Sequence, residues 1–388
     1  MKSQLCRTRT ACAVFVVVLL SMFGFPLTSW SADQLVLFRN ATTGNKKDNV
    51  SISPYGANLV VALVVPGTKG ETEAELKSLL GYDGDIGNLV SSLKIKEYAK
   101  EGSPLKTATS LWIQKDFNIL PDFVDTVKKN FAAKVEQVDF QSNPGNACAS
   151  INEWVDQNTN SKIKTLFDEV DPSNRVIAVS AIYFFDEWLN KFNKQQTQED
   201  DFALPNGENK KVKMMRNRNA SLRYGKDANS QWIELPYKTK GVSAVVILPD
   251  KGTELSEVVA KLTQDNFDGT FRTLKKQLLD VKLPRFEVEY KTSLRSALSR
   301  AGVKKIFSHD ADFTGITPSR NLVVSDVLQK VFIKVDESGT EAAAATGLSI
   351  RTTSLDITKP KEFYVDRPFI FIVREGGNIL FASAITKP

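Results

Sequence analysis

His309 is the only histidine among 388 residues, and it lies in the polar run Ser308-His-Asp-Ala-Asp312. A relay of serine, histidine and acid would have to be built on that one imidazole, yet no Gly-x-Ser-x-Gly elbow or persuasive nucleophile partner accompanies it. The three cysteines, Cys6, Cys12 and Cys148, show no zinc spacing, and neither a phosphate-cradling glycine loop nor a dinucleotide fingerprint occurs. Acidic pairs are plentiful but read as solvent-facing charge. These residue types argue against turnover, a metal or an organic cofactor. Arg351-Thr-Thr-Ser-Leu-Asp-Ile-Thr-Lys-Pro360, rich in Thr, Ser, Asp and Pro, reads as an exposed loop.

The residues that lead into this loop are unusual. In Glu337-Ser-Gly-Thr-Glu-Ala-Ala-Ala-Ala-Thr-Gly347 the side chains are small, and from Thr340 the alternate positions Thr340, Ala342, Ala344, Thr346, Leu348, Ile350 and Thr352 are small or apolar. Glu341 and Arg351 fall on the other face. Period two is the signature of a strand with one face inward. An alanine-rich linker or a short helix between two glycines fits the local pattern too, although seven residues are few for an isolated helix. Downstream, Phe363-Tyr-Val-Asp-Arg-Pro-Phe-Ile-Phe-Ile-Val373 and Asn378-Ile-Leu-Phe-Ala-Ser-Ala-Ile385 read as strands joined by a turn at Arg374-Glu-Gly-Gly377.

With these neighbours the chain resembles the serpin family. The resemblance runs through Asn49-Val-Ser-Ile-Ser-Pro54, Glu71-Thr72 to Leu79-Leu-Gly81, Ile151-Asn-Glu-Trp-Val155, Thr159-Asn-Ser-Lys-Ile-Lys164 and Ala181-Ile-Tyr-Phe184 with Trp188. It continues through Glu234-Leu-Pro-Tyr237, Val246-Ile-Leu-Pro249, Leu283-Pro-Arg-Phe286, Ala311-Asp-Phe-Thr-Gly315 and Arg367-Pro-Phe369. It implies an α+β fold, with three β-sheets, surrounding helices and an exposed reactive-centre loop at about residues 337–360. It also implies a monomeric suicide inhibitor whose partner is a target serine protease, held as a covalent acyl complex while the cleaved loop enters the central sheet.

On that resemblance the hinge comprises Glu337, Gly339, Thr340, Glu341, Ala342, Ala343, Ala344 and Ala345. Small inward residues let a strand enter between packed neighbours, where a charged or bulky one would be buried at a cost. The family's hinge-to-cut distance puts the reactive bond at Thr353–Ser354, which suits a small primary pocket such as that of an elastase. Arg351–Thr352 competes and suits a trypsin-like enzyme. Arg285 and Glu337 match the family's ion pair where insertion begins, and Trp188 matches the tryptophan beneath it. Gly56, Ser180 and Gln329 depart from the serine, asparagine and histidine of many members, and Ala382-Ser-Ala384 lacks the usual glycine. Ser180 and Gln329 are expected to bond each other or a water. A non-inhibitory member, acting as an extracellular ligand carrier or binding protein, is the alternative.

Composition fits a single globular domain, with 42% hydrophobic and 25% charged residues and no dividing linker. Residues 1–31 stand apart as a secretory signal peptide: Lys2, Arg7 and Arg9 precede an apolar run, which Pro26 and small residues follow. That run is short of the about 20 residues needed to cross a bilayer. A secreted, extracellular domain of residues 32–388 is therefore expected. Its formal charge falls from +6 to +3 when those three residues leave, which gives little support to nucleic-acid binding. Lys210-Lys211-Val-Lys213 and Arg272 with Lys275-Lys276 are candidate contacts for a heparin-like polyanion, against the plainer reading of a solvated surface.

Only Cys148 remains after cleavage, so no internal disulfide can form. A helix over Ala147 to Asn158 would bury it beside Ile151 and Val155. Of three glycosylation sequons, Asn40 and Asn219 are expected in exposed loops, whereas Asn49 opens a core strand. A helix follows Pro54 to Val65, a second begins with the capping box Thr72-Glu-Ala-Glu75 and stops at Gly81, and a third covers Ile151 to Lys164. Trp112-Ile113, Val135 to Phe140 and Val176 to Phe185 read as strands.

Overall fold

The computed structural model describes residues 33–45, 47–98, 100, 102–340 and 359–388. Its strands form two hydrogen-bonded networks. The larger contains β1 (Val50–Ile52), β6 (Gln198–Ala203), β7 (Asn209–Lys226), β8 (Ser230–Pro236), β9 (Val242–Pro249), β10 (Lys275–Pro284), β14 (Lys361–Tyr364), β15 (Phe369–Glu375) and β16 (Asn378–Ile385), in the order β1-β16-β15-β9-β8-β7-β10-β14 with β6 on β7. The smaller contains β2 (Leu105–Gln114), β3 (Lys134–Val138), β4 (Val176–Phe184), β5 (Asp186–Glu187), β11 (Phe286–Ser293), β12 (Val324–Val335) and β13 (Gly339–Thr340), in the order β3-β2-β4-β12-β13-β5 with β11 on β12. Residues 32–388 cluster as one compact unit, and the expected signal segment lies outside the described residues.

Two networks stand where three sheets were counted because β7 is continuous through two of them. Its first residues pair with β6, from Gln198↔Met214 to Ala203↔Asn209, and its last pair with β8, from Arg223↔Glu234 to Lys226↔Gln231. Between these, β10 advances from Leu279↔Ala220 to Val281↔Asn217, leaving one extra residue on β7. This bulge turns the strand from one sheet into the next. Asn219 lies in it with φ 64°, a left-handed conformation that asparagine accepts more readily than most side chains.

The smaller network is the main sheet. All nine residues of β4 are buried, because the strand is covered on both faces. Val176, Ala178, Ile182 and Phe184 face the larger core between the networks, while Ile177, Val179 and Ala181 face a second core with Trp112, Cys148, Ile151 and Val155. α1 (Val36–Thr42), packed against β1 and β16, and α2 (Pro54–Ala62), beneath the main sheet, begin the fold. Ser53 caps α2 by accepting from Gly56 N, with Pro54 at its first position.

Three helix boundaries differ from expectation: α2 ends at Ala62 rather than Val65, and two more have identifiable causes. α3 spans Gly70–Leu80 and starts before the supposed capping box. The Thr72 hydroxyl instead accepts from Asp312 N, and Glu75 accepts from Lys304 N and Lys305 N. Both side chains hold a distant loop rather than their own helix end. α4, which covers the second core, spans Pro144–Asn158 and stops short of Lys164. Asn160 and Ser161 are left-handed, at φ 51° and 56°, and the Thr159 hydroxyl donates to Val155 O while accepting from Ile163 N. As expected, Cys148 is buried on α4, and that burial pushes its thiol pKa up.

Candidate functional site

β4 and β12 run parallel at the centre of the main sheet, in register from Asp326↔Ile177 to Phe332↔Tyr183. Beyond Phe184 they part. β13 occupies the fork between them: Thr340 pairs with Val335 on one side and with Asp186 on the other, and Gly339 pairs with Glu187. A turn delivers β13 there, closed by Asp336 N donating to Gly339 O at 2.9 Å and by Ser338 N donating to Asp336 Oδ1 at 2.7 Å. A Cβ on Gly339 would approach Asp186 O to 2.1 Å, so only glycine fits between these backbones.

The walls of the fork are aromatic and polar. Trp188 is 1% exposed; its indole N–H donates to Asp336 O and its backbone N–H to Ser338 O, both at 2.9 Å. Its ring stacks on Tyr237 with centroids 4.4 Å apart and planes 14° apart. The Tyr237 hydroxyl and Thr340 Oγ1 are 2.5 Å apart, both fully enclosed. Burial holds the phenol's pKa well above its ordinary range, so it stays protonated.

The expected ion pair is present. Glu337 Oε1 accepts from Arg285 Nε at 2.7 Å and from the Thr197 hydroxyl, with Arg285 Nη2 2.5 Å away in the ion pair. Glu337 O also accepts from Phe192 N. Burial of this carboxylate raises its pKa, and the donors from Arg285 and Thr197 more than offset that, leaving it below the usual glutamate range. The Arg285 side chain is 41% exposed whereas that of Glu337 is enclosed, so the arginine spans from solvent into the fork.

Lower in the seam, Gln329 and Ser180 are in register but do not form the direct bond, the first of the two arrangements expected. The Gln329 amide is engaged on both sides by the backbone of Ser53, with Ser53 N donating to Oε1 at 2.8 Å and Nε2 donating to Ser53 O at 3.0 Å. Ser180 Oγ is buried with no hydrogen-bond partner among the described residues. Gly56 lies against Ser180 and Ile182 so closely that a Cβ would meet Ile182 Cδ1 at 1.8 Å. Glutamine thus takes over the fastening, and it reaches the helix cap instead of its strand neighbour.

Glu337, Gly339, Thr340, Arg285 and Trp188 lie together at the fork, with Thr340 facing inward. Glu341, Ala342, Ala343, Ala344 and Ala345, and the candidate bonds among Arg351, Thr352, Thr353 and Ser354, lie outside the described residues. Tyr237, Thr197 and Asp186 were missed as parts of the site. Tyr237 stood in a family-like segment, but nothing local signalled its hydroxyl's partner.

The peripheral expectations need correction. Asn40 is not in a loop: it lies in α1, where Nδ2 donates to Ala297 O at 3.0 Å. Asn219 is exposed, yet within strand β7. Asn49 uses its amide to hold Thr386 and Lys387. Lys211 and Lys213 face Asp201 and Glu199 of β6, each at 3.0 Å, so that cluster is largely neutralised. Arg272, Lys275 and Lys276 are exposed.

A family model described as Serpin (serine protease inhibitor) matches residues 34–388. The leukocyte elastase inhibitor of Sus scrofa is 35% identical over 370 residues, which are 91% of this chain and 97% of that relative. Among solved structures, Serpin48, a highly specific serpin of the insect Tenebrio molitor, has a TM-score of 0.83 at 30% identity, covering 91% of this chain and 95% of that one. Native protease nexin-1 with heparin has a TM-score of 0.81 at 27% identity, covering 93% and 98%.

Proposed function

The chain belongs to the serpin family, and from that premise we propose that it is a secreted suicide inhibitor of a serine protease. The observation that carries this reading is the fork: a closed parallel pair of strands, parted at one end, with the first two residues of the hinge strand already between them. The protease serine attacks the carbonyl carbon at the reactive bond, the amide breaks, and its amine leaves with the downstream chain. The ester left on the upstream segment is carried away as that segment enters the sheet, before water completes hydrolysis.

The preferred reactive bond is Thr353–Ser354 with an elastase-like target, in keeping with the named specificity of the Sus scrofa relative; Arg351–Thr352 with a trypsin-like target is the competitor. The signal-like pattern of residues 1–31 supports secretion. Asn219, exposed at its bulge, is the preferred glycosylation acceptor. A heparin-like polyanion, as named for the protease nexin-1 structure, would use Arg272, Lys275 and Lys276.

Incubation with elastase-like and trypsin-like proteases, followed by denaturing electrophoresis and mass spectrometry of the cut, tests the reading. A boiling-resistant complex cut after Thr353 or Arg351 is expected. Loop cleavage without complex across the panel would favour the non-inhibitory alternative. Retained complex formation by Thr340→Arg or Ala342→Arg would contradict the insertion mechanism.

A further inference from the structure

We propose that Tyr237 is a positioning residue for loop insertion: its hydroxyl docks Thr340, the first inward-facing residue of the loop, in the fork before any protease arrives. The inference rests on the inhibitor reading above and adds the residue that starts the insertion.

The geometry supports a docking role. Adding a strand between two others has a costly beginning, since the first residue must be ordered and a gap opened before further pairs form. Here that beginning is already made. Thr340 pairs with both walls at once, through Val335 and Asp186, and its hydroxyl meets Tyr237 at 2.5 Å. The phenol is itself fixed: Trp188 stacks on one face, Phe184 meets it edge-on at 5.0 Å, and Tyr237 N donates to Val242 O. Tyr237 lies at the end of β8, and an isolated bridge joins it to Trp188, outside the strand pair that must separate. The dock therefore belongs to the β4 side of the fork, whose Phe184 and Trp188 hold the phenol. Once the loop is cut, insertion proceeds as propagation from a seated residue, and its lead over deacylation depends on that seat.

The partition between capture and turnover tests this. Tyr237→Phe and Thr340→Val remove one hydroxyl each with little change in shape, Thr340→Ser keeps the hydroxyl, and the double variant Tyr237→Phe/Thr340→Val closes a cycle. Stoichiometry of inhibition, rate of complex formation and melting temperature are measured for each, against a protease that the wild type captures. In each single variant the excess of inhibitor consumed over one per protease is expected to grow about fivefold, as loss of one buried hydrogen bond in a rate-setting step implies. The double variant should be no worse than either single, and Thr340→Ser should behave as wild type. Unchanged stoichiometry in the singles, with or without a lower melting temperature, would overturn the proposal, as would multiplicative effects in the double. Failure of the wild type to capture any protease would instead defeat the inhibitor reading and this inference with it.

Discussion

Lys330 Nζ donates to the backbone carbonyl of Thr165 at 2.5 Å, tying β12 to the segment that leads from α4 into β4. The ammonium is largely buried, pairs with Glu289 and stands in register with Ala181 across the seam. Asn152 of α4 holds the same segment by accepting from Leu166 N and Phe167 N and donating to Phe167 O. The two sides of the seam are thus strapped together over the sheet's outer face.

Replacing Lys330 with Met should loosen that strap. Loss of the bond is expected to lower the barrier to seam opening by about 1 kcal/mol, or roughly a fivefold faster loss of the native form below the unfolding temperature. Native electrophoresis over time reads this; an unchanged rate would mean that the segment travels with β12.

Gln329 and Ser180, opposite each other, should respond with opposite signs. Gln329→Leu strips two bonds from Ser53 and leaves its buried N–H unpaired, while Ser53 O keeps the bond from Ala57 N; the expected loss is about 1–3 kcal/mol. Ser180→Ala removes a hydroxyl without a partner among the described residues and should be neutral or stabilising by up to about 1 kcal/mol. Denaturation midpoints measured on both variants decide it; matching losses would refute the asymmetry.

Glu337 should make the fork acid-sensitive. Its folded pKa lies below the ordinary value, so its stabilisation is present above the unfolded pKa, about 4.3, and is lost as pH falls through the folded one. Melting temperatures of wild type and Glu337→Gln should differ most near neutrality and converge towards pH 3. Asp186 carries the reverse sign: burial raises its pKa, so Asp186→Asn should not destabilise the fork near neutral pH.

Gly339→Ala should displace β13, because the added methyl meets the Asp186 carbonyl inside contact distance. A cost on the order of 1–3 kcal/mol and more uncaptured cleavage are expected. A wild-type melting temperature with wild-type capture would show that the fork tolerates a wider hinge.

The face on which Thr340 lies was legible because strand periodicity is local. The fork was legible only through family resemblance, since its walls come from Trp188, Tyr237 and Val335, far apart in sequence. Thr72 shows why a local motif fails: its capping pattern is complete, but Asp312 N takes the hydroxyl. Asn40 shows the same for a sequon, whose three residues carry no record of the helix around them or of the Ala297 carbonyl. The end of α4 was hidden because Asn160 and Ser161 adopt left-handed conformations that their types permit without announcing.

Cys148 is the single thiol among the described residues, and it is buried. Among the described residues no covalent tether therefore spans the seam, and what keeps it shut there is a set of weak bonds that thermal motion can break together. On the inhibitor reading, the useful life of the molecule is a clock rather than an equilibrium. Warming by 10 °C would run that clock about three to six times faster, so each molecule must meet its protease before it fires unprovoked.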